Sequence, residues 1–451
     1  MMREPPFSLL RRPDPRELKG ARVLVLGLGD TGLSLARWVE RRGATPRVAD
    51  TRAAPPRARD YAGELRTGGF KIELLEGIDL VCVSPGLSLD EPVIREAIRR
   101  QTPVLGDVEL FAWQNESKVL AVTGTNGKTT VASLTGHLLR TAGVDCEVAG
   151  NIGPAVLEAA MQRAAPPAAW VLELSSYQLE TTWSLRAEAA AMLNLAEDHL
   201  DRYAGLDEYA AAKARIFLGA GMQVLNRDDP RSLAMAAPGA RSVTFGLDAP
   251  PSAQDFGVVN GLLRRGPQPL VAASELKIHG AHNVLNALAA CALANTAVPL
   301  DAMAQGLRTF AGLPHRLQLV ATRRGVDWYD DSKGTNVGAT LAALKGLNRP
   351  VVLILGGEGK GQDFSALAGP ASKHASAILL IGRDAPLIEK ALAGLPTERC
   401  ASLEEAVARA ARHAAPGDAV LLSPACASFD MFRDYRHRGE VFAAAVRGLP
   451  A

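Results

Sequence analysis

The stretch "ARVLVLGLGDTGLSLARWVERRGATPRVAD" leaves its part of the chain few folding options. An apolar, β-branched run enters Gly27-x-Gly29-x-x-Gly32, a helical pattern follows, and a second apolar run ends at Asp50. A strand, a crossover helix and a further strand of this kind pair in parallel. The run "DLVCVSPG" extends the same arrangement, so the spacing predicts a parallel sheet wound on both faces.

The alternation recurs along the chain. A second set of strands, "KVLAVTG", "AAWVLELSS" and "AAAMLNL", has helical patterns between its members. The segment "LKIHGAHNVLNALAACALAN" reads as a strand, a turn and a long alanine-rich helix. Gly and Pro interrupt the pattern at "GLPHRLQ", which reads as a linker. Beyond it, "VDWYDDSKGTNVGATLAAL", "VVLILGG", "AILLIG" and "AVLLSP" form a third set. A chain of 451 residues is too long for one ordinary core. Three α/β domains are expected, over 1–107, 108–312 and 313–451. Only "APPSAQD" reads as a loose tract.

Composition narrows the function classes. Hydrophobic content of 47% with 22% charge describes a soluble globular protein. A net charge of +2 creates no field for gathering nucleic acid or an anionic membrane, so no nucleic-acid partner is expected. The sequence has no apolar run of about eighteen residues, and "MMREPPFSLLRRPDP" lacks a signal-peptide core. A cytoplasmic protein without membrane insertion is the expectation. Five cysteines lie far apart and read as buried reduced thiols. With 39 arginines against 11 lysines, arginine serves wherever any cation suffices. A lysine inside a polar motif therefore carries more information here, and Lys128, Lys213, Lys333 and Lys360 all sit in such motifs.

The stretch "LAVTGTNGKTTVAS" places Gly124, Thr125, Asn126, Gly127, Lys128, Thr129 and Thr130 between a strand end and a helix start. Backbone N–H groups and the helix dipole favour an anion at such a point. Lys128 adds charge for terminal phosphates, and Thr129 or Thr130 offers a hydroxyl to Mg²⁺. The standard phosphate loop has its first glycine where Val122 stands, so this loop is of shorter build. Glu173 ends a neighbouring strand and reads equally as a metal-holding carboxylate or a plain strand-end acid. His199 is an isolated histidine, more often structural than ligating. Lys213 lies on a helical pattern, where lysine is ordinarily solvated. Asn283 and Asn286 share one face at a helix start; capping accounts for one, and two suit contact with a base or phosphate.

The last third holds Arg316, then Asp330-Asp331-Ser332-Lys333-Gly334-Thr335-Asn336, then Gly356-Gly357-Glu358-Gly359-Lys360. Each group lies at a strand exit or linker. Ordinary turn chemistry explains the Gly and Asp, whereas two lysines in these loops point to anionic ligands. By the glycine rule, Gly27, Gly29, Gly32 and Asp50 announce a dinucleotide site.

Together "GTNGKTT", "GNIG", "ELSSYQLE", "DHLDRY", "AAKARIF", "GAHNVLNALAA", "GLPHR", "DDSKGTN" and "SPACASFD" resemble, in order and over almost the whole chain, the Mur ligase family. These are ATP-dependent amide-forming enzymes of peptidoglycan precursor synthesis. The dinucleotide-like N-terminus and Asn126 resemble the branch that adds D-glutamate to UDP-N-acetylmuramoyl-L-alanine. A sibling that adds another amino acid is the alternative, followed by an NAD-dependent oxidoreductase.

The resemblance implies a Rossmann-like N-terminal domain, a central domain like a P-loop ATPase, and a Rossmann-like C-terminal domain. It assigns Gly29, Asp30, Thr31, Gly32, Asp50, Thr51, Arg52, Ser84, Asn151 and Ser175 to the UDP-substrate rather than to NAD. It assigns the loop Gly124–Thr130, with Asn283, Arg316, Asp331 and Lys333, to ATP. Two Mg²⁺ ions are implied on Thr129, Thr130, Glu173, His199 and Lys213, the last as a CO₂-derived carbamate. Lys128, Glu173, His199 and Lys213 would carry catalysis. Thr335, Lys360, Ser428, Phe429 and Tyr435 would face D-glutamate. Three positions depart from the family's frequent residues: Tyr435 replaces Phe, Phe429 replaces Leu, and Gly334 replaces Ala. A monomer acting on small molecules is the expected state.

Overall fold

A computed structural model describes residues 18–198, 202–347 and 349–450. The first sheet contains β1 (Arg22–Leu26), β2 (Thr45–Asp50), β3 (Glu64–Thr67), β4 (Leu80–Val83) and β5 (Val104–Leu105). The strands are parallel in the order β3-β2-β1-β4-β5. β1 is apolar throughout its buried length because both faces of this sheet are covered. The helix Asp30–Arg41 covers one face through Leu33, Leu35, Ala36, Trp38 and Val39. The Gly27–Gly29 turn leaves β1 where the strand order reverses, the usual place for a ligand crevice.

The second sheet contains β6 (Lys118–Thr123), β7 (Cys146–Gly150), β8 (Ala169–Glu173), β9 (Ala189–Met192), β10 (Gln223–Asn226) and β11 (Ser242–Phe245). Their parallel order is β11-β10-β9-β6-β8-β7. Phe256, which opens β12 (Phe256–Val259), pairs with Phe245. β6 emerges between β8 and β9, so the residues that follow it lie beside Glu173 and Asn194.

One core serves both sheets. Leu35 and Val39 of the first sheet's helix, Leu110 and Phe111 of the helix Asp107–Ala112, Val156 and Leu157 of the helix Val156–Gln162, and Trp170 and Leu172 of the second sheet belong to a single buried cluster. By packing, the chain therefore divides into two compact units. One comprises the described residues up to Phe245 with 254–256 and 289–303, and the other the remaining described residues.

In the second unit, β13 (Leu262–Arg265) and β14 (Gln268–Ala272) form an antiparallel hairpin. No apolar run announces it, because Leu262–Arg265 is half arginine and Gln268–Ala272 contains a proline. The strand expected over "LKI" is absent: a short 3₁₀ turn at Ala273–Glu275 precedes it, and Leu276 is buried as a single anchor. The expected long helix is present as Ala281–Ala294. The third sheet contains β15 (Gln318–Arg323), β16 (Val326–Asp330), β17 (Val351–Gly356), β18 (Ala375–Ile381), β19 (Thr397–Arg399) and β20 (Ala419–Leu422). Its order is β15-β16-β20-β17-β18-β19, parallel apart from the β15–β16 hairpin. Three mostly parallel α/β sheets are thus present, as the alternation predicts.

The glycines of the first turn have separable tasks. Gly27 has φ +86°, in the left-handed region. A Cβ on Gly32 would stand 1.8 Å from the Gly27 carbonyl oxygen, whereas a Cβ on Gly29 would meet nothing within 4 Å. Gly32→Ala should therefore destabilise unit 1 by about 1–3 kcal/mol through overpacking. Gly29→Ala should change stability by about 0.5 kcal/mol or less, the ordinary range for a contact-free site. Urea unfolding of the two variants beside the parent checks the contrast.

Candidate active site

The loop after β6 is shaped by two glycines. Gly124 has φ +150°, and a Cβ there would lie 2.9 Å from that of Leu193. Gly127 sits at φ +84° and caps the helix Lys128–Thr141 without a side-chain bond. Thr130 is buried in the first turn of that helix, and Thr129 is half-buried. Asn194 clasps the Asn126 peptide on both sides: its Oδ1 accepts the Asn126 N–H at 2.8 Å, and its Nδ2 donates to the Asn126 carbonyl at 3.1 Å. The Thr125 hydroxyl accepts the Ala196 N–H at 3.0 Å and donates to the Ala196 carbonyl at 3.2 Å.

Two lysines converge on one carbonyl. Lys128 Nζ donates to the carbonyls of Gly124 (2.9 Å) and Thr125 (2.8 Å). Lys213, on the helix Leu206–Ala214, also donates to the Gly124 carbonyl at 2.9 Å and lies 3.4 Å from Thr123 Oγ1. Lys213 is only 1% exposed, and its Nζ stands 4.6 Å from the centre of the Tyr209 ring. The expectation of a solvated lysine is thus overturned. Burial, reinforced by the Lys128 charge, pulls its pKa well below the ordinary lysine range, with Asp198 and Glu173 opposing.

Glu173 ends β8 and is buried. Its Oε1 accepts from Asn151 Nδ2 at 2.7 Å, while Oε2 has no hydrogen-bond partner among the described residues. An unsatisfied buried carboxylate oxygen is costly, and a hard cation would satisfy it. With the hydroxyls at the helix start, this donor set fits Mg²⁺. His199 lies outside the described residues. Among the described residues no three His, Cys, Asp or Glu side chains gather as a metal set. The Ser175 hydroxyl is engaged in a capping box with Gln178 at the start of the helix Ser176–Glu180.

In the first sheet, Asp50 anchors the glycine turn. Its Oδ2 accepts the Leu28 N–H at 2.7 Å and Arg52 Nη2 at 2.7 Å, and Oδ1 accepts the Arg52 amide at 2.9 Å. A dinucleotide site would direct this carboxylate to ribose hydroxyls; here it binds its own loop. Burial works to raise its pKa, yet the Arg52 guanidinium and the two amides hold it at about 2. Ser84 Oγ donates to the Gly27 carbonyl at 3.2 Å. The Thr31 carbonyl accepts from Ser34 Oγ, Asp30 pairs with Arg57 at 2.6 Å, and Thr51 is exposed.

The second unit carries the other cluster. Asn283 Nδ2 donates to the His279 carbonyl at 2.8 Å, and its Oδ1 accepts from Asn286 at 3.1 Å. Asp331 is buried; its Oδ1 accepts the Leu317 N–H (3.1 Å) and its Oδ2 the Ser423 hydroxyl (2.7 Å). Burial pushes its carboxyl up to about 7, against those bonds and the Arg316 charge. A Cβ on Gly334 would lie 2.6 Å from Asp331 Oδ2, which accounts for glycine there. Lys333 Nζ stands 4.2 Å from the Tyr435 ring centre, and the Thr335 N–H donates to the Lys333 carbonyl at 2.8 Å. Ser428 is buried, Phe429 is 65% exposed, and Lys360 Nζ lies 5.8 Å from the Phe429 ring.

Arg438 ties these loops together from complete burial. It donates to Ser332 Oγ (2.9 Å) and the Ser332 carbonyl (2.8 Å), and to the carbonyls of Cys426 (3.1 Å) and Ala427 (3.3 Å). Neither Arg438 nor Asn194 was singled out in the sequence, because neither stands in a loop motif of its own. The only available signal was a polar residue flanking one.

Comparison with known proteins gives the family. Family descriptions match in order: "Mur ligase MurD-like, N-terminal domain" over residues 21–106, "Mur ligase middle domain" over 122–294, and "Mur ligase, glutamate ligase domain" over 315–426. The chain belongs to the Mur ligase family. Among its relatives, the UDP-N-acetylmuramoylalanine–D-glutamate ligase of Nitrosospira multiformis is 54% identical, with 96% of this chain and 97% of that protein covered. The same-named protein of Thiobacillus denitrificans is 53% identical, covering 97% and 98%. Solved structures share the fold at lower identity. MurF from Acinetobacter baumannii has a TM-score of 0.62 at 19% identity, over 96% of this chain and 92% of that one. UDP-N-acetylmuramate-alanine ligase MurC from Thermotoga maritima has 0.60 at 18%, over 95% and 99%.

The Asp50 anchor has a pH signature. A carboxyl held at about 2 when folded, against an ordinary 3.8, contributes stability that is complete above the higher value and lost as pH falls through the lower. Asp50→Asn should therefore destabilise the protein at pH 7, and its deficit against the parent should narrow steadily below about pH 4. Urea unfolding across that range measures the narrowing.

Proposed function

We propose that this protein is the ATP-dependent ligase that adds D-glutamate to UDP-N-acetylmuramoyl-L-alanine, yielding ADP and phosphate. The observation that carries the reading is the pairing of a short phosphate loop with buried Lys213 and Glu173, in a chain about half identical to ligases of that name along its whole length. In this reading 1–107 binds the UDP portion, 108–312 the ATP phosphates, and 313–451 the amino acid. The three family matches fall inside those bounds. No helix among the described residues is long and apolar enough to cross a membrane. We take the enzyme to act as a cytoplasmic monomer.

The chemistry follows from a poor leaving group. A carboxylate resists attack by an amine, because oxide cannot depart. Its oxygen therefore attacks the γ-phosphorus of ATP, the bond to ADP breaks, and an acyl phosphate forms. The amine of D-glutamate then adds to the acyl carbon, loses a proton, and phosphate leaves. Positioning and charge neutralisation carry most of such a reaction. The Gly124–Thr130 amides and Lys128 hold the phosphates, and Asn283, Arg316, Asp331 and Lys333 address the nucleotide. Asn151 and Ser175 serve the UDP-substrate together with the first sheet's residues. Thr335, Lys360, Ser428, Phe429 and Tyr435 receive D-glutamate.

Two Mg²⁺ ions, held by Thr129 or Thr130, Glu173, His199 and a Lys213 carbamate, would neutralise the phosphoryl oxygens. Carbamate formation needs a neutral amine, and the burial of Lys213 favours that form. The product is an anionic oxygen donor in place of a cation.

Phosphate release from ATP with UDP-N-acetylmuramoyl-L-alanine should require D-glutamate; release with L-alanine or meso-diaminopimelate instead would overturn the assignment. The UDP-sugar should raise the melting temperature and NAD(H) should not. Lys213→Ala should lose about 100-fold or more in kcat, the scale of a lost charge-stabilising group, and regain part of it with added short carboxylic acids. Full activity of that variant without additive would return Lys213 to a structural role.

A further inference from the structure

Arg316 is held in place by an unusual turn. Its neighbours on both sides, His315 and Leu317, occupy left-handed backbone at φ +61° and +45°. Neither residue type favours that region: histidine enters it occasionally, and leucine there is strained. Such a turn persists only where its surroundings over-determine it. The surroundings do so here. His315 Nδ1 lies 2.7 Å from Asp330 Oδ2, and the His315 N–H donates to Gln318 Oε1 at 3.1 Å. The His315 carbonyl accepts the Lys333 N–H at 3.0 Å, and the Leu317 N–H donates to Asp331 Oδ1 at 3.1 Å. The adjacent acids Asp330 and Asp331 thus clamp the two strained residues, and the backbone of Lys333 closes the third side.

The imidazole itself has a fitted seat. Asp330 is buried and its other oxygen accepts the Ser332 N–H at 2.9 Å, which fixes the carboxylate. Tyr435 meets the ring edge-on at 6.1 Å between centres. Gly439 makes room: a Cβ there would stand 2.2 Å from His315 Nδ1 and 2.6 Å from Asp330 Oδ2. A glycine in the helix Tyr435–Arg447 costs helix stability relative to alanine. The imidazole–carboxylate contact is what occupies the space it leaves.

We propose that His315, bound to Asp330 in the space left by Gly439, is a positioning residue that presents Arg316 to the nucleotide. This rests on the reading of Arg316 as an ATP contact. The hydrogen bond to Asp330 is the main cause raising the His315 pKa above its ordinary 6.5; burial and, more weakly, the Arg436 charge oppose it, while the charges of Asp330 and Glu440 add to it. The protonated pair is therefore complete below 6.5 and weakens as pH rises through the higher folded value. Arg447 and Glu440 line the cavity beside the pair, and the buried Arg438 acts on Asp330 and Asp331 from the same helix.

The test is steady-state kinetics on the full-length enzyme. His315→Ala should raise the KM for ATP about tenfold while kcat at saturating ATP stays within about threefold, the pattern of lost uniform binding. His315→Asn keeps a donor near Nδ1 and tolerates left-handed backbone, so it should restore most of the affinity. The parent's KM for ATP should rise with pH above 6.5, and that of His315→Asn should stay flat. Gly439→Ala, which removes no polar group, should raise the same KM. Arg316→Ala separates the two ideas: if it leaves the KM for ATP unchanged, the reading of Arg316 fails. If Arg316→Ala raises that KM while a folded His315→Ala does not, the positioning role fails. A parallel rise in the KM for all three substrates in His315→Ala, or a parent pH profile matching that of His315→Asn, also overturns it.

Discussion

The Gly124 carbonyl oxygen receives two lysine side chains, and the first unit is arranged around that meeting. A carbonyl has two lone pairs and can accept both donors, yet two ammonium groups at one oxygen repel each other. Burial of Lys213 adds a desolvation cost, which the nearby Glu173 and Asp198 charges partly offset. Asn194 and Thr125 hold the surrounding peptides so that the oxygen cannot turn away. The outcome is a fixed set of N–H donors at a helix start, with the Lys128 charge beside a Lys213 amine held toward its neutral form. A polyanion entering there meets donors that need no reorganisation.

The second unit solves a related problem with arginine. Loop carbonyls beyond the C-terminal ends of β16 and β20, those of Ser332, Cys426 and Ala427, turn toward one buried point and need donors there. The Arg438 guanidinium reaches three such carbonyls and the Ser332 hydroxyl from one rigid plane. A lysine could reach one or two of them but could not hold both loops at a constant separation. Burial draws the group's pKa down only to about 10, so it remains a cation at neutral pH.

Much of this was readable in the residues because it is local. Gly124 to Thr130 announces a strand, a tight turn and a helix start within a few positions, and the structure builds that shape. The alternation of apolar strands and helices likewise predicts all three sheets. What escaped depends on distance along the chain. Lys213 approaches Gly124 from 89 residues away; the scarcity of lysine and the family resemblance point to it, whereas its helical setting does not. Arg438 reaches Ser332 across 106 residues and looks like any surface arginine in the sequence. Asp50 shows what spacing alone leaves out: the glycine–acid pattern points outward to a ligand, while the carboxylate also holds the backbone of Leu28 in its own loop. Leu276 shows how one buried apolar side chain can imitate a strand.

The core shared by the first two sheets has a consequence for substrate choice. Leu35, Val39, Val156 and Leu172 belong to one cluster, so the turn at Gly27–Gly32 and the loop at Gly124–Thr130 stand at a set separation. On the proposed reading, one end of the substrate is gripped at the first and its carboxylate reacts near the second. The molecule between them is then measured as by a gauge, and an analogue one sugar or one residue shorter would bind at one mark and fall short of the other.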